Sequence, residues 1–79
     1  MDSEELAGAL PGELPGLLRF AHTLTADPGQ AEDLVQETLS RALERSASFR
    51  GDSSLATWLH RILHNLAVDN APQVPRGAH

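Results

Sequence analysis

Asp27-Pro28-Gly29-Gln30-Ala31-Glu32-Asp33-Leu34-Val35-Gln36-Glu37-Thr38-Leu39-Ser40-Arg41-Ala42-Leu43-Glu44-Arg45 is the stretch whose reading decides the fold. Leu34, Val35, Thr38, Leu39, Ala42 and Leu43 recur as pairs every four residues, which on a helix makes one continuous buried face. Glu32, Asp33, Gln36, Glu37, Ser40, Arg41 and Glu44 fill the rest of the surface. The start is equally marked. Asp27 suits the N-cap and Pro28 the first helical position. Gln30, three residues past the cap, can reach back as in a capping box. A helix from Pro28 to about Arg45 is expected.

Outward toward the N-terminus, a short helix over Ser3–Leu10 is expected, capped by Asp2 or Ser3, with Glu4 and Glu5 near its positive end. Pro11-Gly12 and Pro15-Gly16 follow, and proline removes a helical hydrogen bond, so a break near Pro11 is expected. From Gly12 to Leu24 the stripe Leu14, Leu17, Leu18, Ala21 and Leu24 predicts a second segment, with Phe20 at its edge. Outward toward the C-terminus, Ser46–Ser54 is polar, contains Gly51 and reads as a loop whose apolar members are Ala47 and Phe49. Ser53 or Ser54 can cap a last helix over Leu55–Val68 that buries Leu55, Trp58, Leu59, Ile62, Leu63 and Leu66. Residues 70–79, with two prolines and no periodicity, are expected to be disordered. The expectation is all-α: a small three-helix bundle with a short leading N-terminal helix, domain 1–69 and tail 70–79.

Composition agrees and narrows the function. The chain has 79 residues, no cysteine, no tyrosine, two phenylalanines and one tryptophan. The core must therefore be mostly leucine, alanine and valine, with no disulfide or thiolate metal site to support it. No apolar run approaches the roughly 20 residues of a membrane span, and the start is acidic, so a cytoplasmic protein is expected. His60 and His64 stand four apart on one helix, but two ligands do not close a site, so no metal and no cofactor are expected. No nucleophile–base set and no phosphate cradle occur, so an enzyme is not expected. The net charge of −5 is unevenly spread: residues 1–44 carry −7 and residues 45–79 carry +2. Any nucleic-acid contact belongs to the C-terminal half, and the acidic half faces solvent or a basic protein partner.

Three strings stand in order: Ala31-Glu32-Asp33-Leu34-Val35-Gln36-Glu37-Thr38, then Phe49-Arg50-Gly51-Asp52-Ser53-Ser54, then Thr57-Trp58-Leu59-His60-Arg61-Ile62 with Asn65. Together they resemble region 2 of the extracytoplasmic-function sigma factors, over about Leu6 to Asp69. The resemblance implies that Asp33, Gln36 and Glu37, with Arg41 one turn on, dock on the β′ clamp-helix coiled coil of core RNA polymerase. Periodicity alone favours a solvated polar face for the same residues, and it is the resemblance that reverses this. The resemblance also implies that the loop and last helix accept a base from the non-template strand of the −10 promoter element. Such extrusion costs a few kcal/mol of stacking, so the protein must return an apolar wall and polar partners. Phe49 would supply the wall, or plug the core beneath the loop. Asn65 matches the family's amide. Arg50 and Arg61 would hold phosphates, or Arg61 would snorkel, and His60 and His64 would add donors. Trp58 is expected in the core.

The sequence departs from that family in two places. The last helix leads into Asn70-Ala71-Pro72 where the family usually has a cluster of arginines, and the −35-reading region 4 is not expected within these 79 residues. Few phosphate contacts release few counterions, so weak affinity for duplex DNA is expected of the chain alone. Two readings follow: a polymerase-docking, −10-melting module, or a sigma mimic or region 2 fragment acting mainly as the target of an anti-sigma protein.

Overall fold

Three α-helices make up the computed structural model, which describes residues 1–70: α1 (Ser3–Leu24), α2 (Pro28–Glu44) and α3 (Leu55–Asn70). A single 3₁₀ turn, Ser46–Ser48, lies in the connection between α2 and α3. The expected tail lies, beyond Asn70, outside the described residues. Among those described, no strand occurs and no helix is long and apolar enough to cross a membrane.

The leading helix is not separate. α1 runs unbroken through Pro11 and Pro15, contrary to the break expected at Pro11. The reason lies in phase. At about 100° per residue, Leu6, Leu10, Leu17 and Ala21 fall within about 60° of one another around the helix axis. All four are buried. One stripe therefore spans both prolines and ties both halves of α1 to the same core. Pro11 and Pro15 lie on the far side, where both are exposed. Water can serve the carbonyls that the missing amide hydrogens leave free, which lowers the cost of an interior proline.

The caps are mostly where the side chains suggested. Asp2 Oδ1 accepts the Glu5 amide at 2.8 Å, and Asp27 Oδ1 accepts the Gly29 amide at 2.9 Å. Gln30 does not close a capping box. Its Oε1 instead accepts from the Thr25 hydroxyl at 2.9 Å, and Thr25 Oγ1 accepts the Asp27 amide at 3.2 Å. Ser54, rather than Ser53, caps α3: its Oγ accepts the Thr57 amide at 3.1 Å.

The core is Leu6, Leu10, Leu17 and Ala21 from α1, Ala31, Leu34, Val35 and Ala42 from α2, and Leu59, Ile62, Leu63 and Leu66 from α3. Trp58 and Leu55 are half-buried against it. Thr38 is fully buried, and its hydroxyl donates to the Leu34 carbonyl at 2.7 Å, so it packs as an apolar residue. The expected stripes were too wide. Leu14, Leu18, Leu24 and Leu43 are each 36–38% exposed, because a helix in a three-helix bundle covers only a narrow arc against its two neighbours. Leu14 and Leu18 instead join Val35 and Leu39 in a surface groove edged by Glu32 and Gln36.

Candidate functional site

The loop before α3 is shaped by its backbone. Ser48 Oγ donates to the Arg45 carbonyl at 2.7 Å, and the Phe49 amide donates to the Ser46 carbonyl at 3.2 Å, closing the 3₁₀ turn. Gly51 then takes φ +79°, a left-handed conformation that side chains disfavour. This reversal brings the chain to Ser54 and the start of α3. Phe49 lies against Trp58 with ring centroids 5.0 Å apart and planes tilted by 41°, a separation at which aromatic pairs attract. The Met1 amino group donates to the Phe49 carbonyl at 3.1 Å. Phe49 is half-buried, so its two sequence readings merge: it packs on Trp58 and keeps part of its ring at the surface.

On α3, His60, Arg61, His64 and Asn65 line one open groove of about 630 Å³, with Ala56, Thr57 and Phe20. Four of the six expected nucleic-acid residues therefore come together, while Phe49 and Arg50 stand outside this groove, at the loop. Phe20 is a residue that sequence reasoning missed. Its ring lies 4.7 Å from that of His60, tilted by 39°. The available signal was its place at the edge of the α1 stripe, which lets it reach a polar face of a neighbouring helix. His60 Nδ1 lies 2.6 Å from the Ala56 carbonyl, which can only accept, so that nitrogen carries the hydrogen. In the neutral ring Nε2 is then an acceptor. Neutral His60 thus offers an acceptor where a donor was expected, and becomes a donor at Nε2 only when protonated. Among the described residues no set of three His, Asp or Glu side chains could hold a metal ion.

The expected docking residues form a second surface. Asp33, Gln36 and Glu37 are exposed and, with Ser40, line a recess of about 280 Å³ on α2. This recess shares no residue with the α3 groove. Arg41 is not part of it. Eight residues after Asp33, it is rotated by about 80° around α2 and lies about 12 Å further along. There it lines a groove with Arg45, His64 and Asn65.

Comparison with known proteins identifies the family. The model of the family described as Sigma-70 region 2 matches residues 12–72. The ECF RNA polymerase sigma factor EcfG of Rhodopseudomonas palustris is 42% identical over 64 residues, which are 81% of this chain and 35% of that protein. The ECF RNA polymerase sigma factor SigG of Mycobacterium tuberculosis is 53% identical over 52 residues, 66% of this chain and 14% of that protein. The RNA polymerase sigma factor YlaC of Bacillus subtilis is 49% identical over 53 residues, 67% of this chain and 28% of that protein. The chain thus spans about a third or less of the length of these relatives. No solved structure matches it. With the match running from the middle of α1 to the end of α3, the chain belongs to the Sigma-70 region 2 family, as a region 2 domain of the extracytoplasmic-function type.

Proposed function

We propose that residues 1–69 act in the cytoplasm as a transcription-initiation module that works by binding and catalyses no reaction. Asp33, Gln36 and Glu37 dock on the β′ clamp helices of core RNA polymerase. His60, Arg61, His64 and Asn65, with Phe49 and Arg50 at the loop, receive the non-template strand of the −10 element. The observation that carries this reading is the separation of the two surfaces. An acidic and amide recess lies on α2, and a groove with cationic, amide and aromatic walls lies on α3. One domain can then hold polymerase and a single strand at once. Arg61 suits a phosphate, Asn65 a base edge, and Phe20 and Phe49 offer apolar faces. The test is capture of a single-stranded −10 oligonucleotide by the polymerase-bound chain. Sequence-dependent capture that Asn65→Ala abolishes supports the reading; capture indifferent to sequence and to Asn65→Ala overturns it.

One observation favours a second reading, in which the chain serves chiefly as the target of an anti-sigma protein. The groove of Leu14, Leu18, Val35 and Leu39 is apolar and open, and it would fit the apolar face of a partner's amphipathic helix. Under that reading the polymerase-bound chain captures no −10 strand, and Leu18→Asp abolishes binding to the partner.

A further inference from the structure

We infer that Arg41 and Arg45, on the last turn and C-cap of α2, form a phosphate clamp that extends the nucleic-acid track of α3. The inference rests on the nucleic-acid reading of the α3 groove. Along α2 the acidic Glu32, Asp33 and Glu37 occupy the earlier turns, while the end carries Arg41 and Arg45 with Glu44 between them. Of these three only the arginines line the groove between the ends of α2 and α3. Arginines at a helix C-terminus complement its dipole wherever they point. Here there is a second observation. Both line a groove of about 530 Å³ between the ends of α2 and α3, with His64 and Asn65 on its other wall. Those two residues also line the groove that holds Arg61 and Phe20. The two grooves therefore adjoin across one turn of α3, and a strand leaving Arg61 past His64 and Asn65 meets Arg45 and Arg41 next. Asp69 is the one carboxylate among the lining residues, set against two guanidinium groups. Guanidinium is the side chain best matched to a phosphate, which it binds through paired donors. The clamp supplies from α2 the backbone contacts that the end of α3 provides few of.

The test is equilibrium capture of a −10 strand and of a scrambled strand by the polymerase-bound chain, titrated with salt. Arg41→Ala with Arg45→Ala is expected to weaken both strands equally, by about tenfold or more. It should also reduce the slope of log affinity against log salt by about 1.4, since each single-strand phosphate contact contributes about 0.7. Arg41→Lys with Arg45→Lys should restore the slope but only part of the affinity. Binding to the isolated β′ coiled coil should change less than twofold. Weakened coiled-coil binding with an unchanged salt slope would overturn the clamp and assign the arginines to an acidic protein surface. If Arg61→Ala reduces the slope and the double variant does not, the clamp fails while the α3 groove stands. If neither changes the slope, both fail.

Discussion

Replacing Pro11 and Pro15 together by alanine returns two amide hydrogens to α1. Residue 11 could then donate to the Ala7 carbonyl, and residue 15 to the carbonyl of residue 11. Both positions are exposed, so the carbonyls concerned already bond water, and each regained bond nets only about 0.5–1.5 kcal/mol. Relief of the ring clash adds to this, under a ceiling of about 3 kcal/mol per proline from helical host peptides. Against it, the unfolded chain regains about 0.4–1 kcal/mol of entropy at each site. The balance is about 1–2 kcal/mol of stabilisation per site, or about 2–4 kcal/mol for the pair. In a chain of this size that raises Tm by about 8–30 °C. Thermal melts followed by far-UV circular dichroism measure it, and amide exchange over residues 3–15 should slow. A Tm that is unchanged or lower would refute the reasoning. It would mean that the prolines make a turn, and that Leu6 and Leu10 do not share one helix with Leu17 and Ala21.

Three other substitutions probe the frame. Leu63 is fully buried, so Leu63→Ala should cost about 2.7–5.0 kcal/mol in urea denaturation, while Leu63→Met costs under about 1.5 kcal/mol. A domain of this length has about 4–12 kcal/mol in all, so the alanine variant should lose about a quarter or more of its stability. Gly51 has open space around it, so Gly51→Ala meets only the left-handed backbone penalty, about 1–2 kcal/mol. Gly51→Asn should lose less. The Glu5 amide holds the Asp2 carboxyl below its ordinary 3.8, so the cap favours the charged form. Its contribution is present above that ordinary value and is lost as pH falls through and below it. Exchange at the first turn of α1 should accelerate over that acid range, and Asp2→Asn should remove the dependence.

Much of this was legible along the chain, and particular residues show why the rest was not. α2 was readable because Asp27, Pro28 and the paired apolar positions all state one answer. α1 was misread because proline was weighed as a local signal, whereas the phase of Leu6 and Leu10 against Leu17 and Ala21 is a tertiary fact. The exposure of Leu14, Leu18, Leu24 and Leu43 also depends on how wide an arc the neighbouring helices cover, which a stripe does not state. At the site, His60, Arg61, His64 and Asn65 share one helix face, so their meeting could be foreseen. Phe20 and Arg45 come from other helices, and only the packing brings them to that face. The hydrogen on His60 Nδ1 was equally hidden, since it follows from the distance to Ala56.

The docking surface is the claim on which the rest depends, because a strand contact matters only in a polymerase-bound domain. Its direct test is the affinity of the isolated β′ coiled coil for the chain carrying Asp33→Ala and Gln36→Ala. Both residues are exposed, so circular dichroism and melting should be unchanged. Hydrogen bonds to charged groups are worth about 1.5–3 kcal/mol each, so affinity should fall at least about tenfold. Binding within twofold of the unsubstituted chain, with the fold intact, would contradict the account.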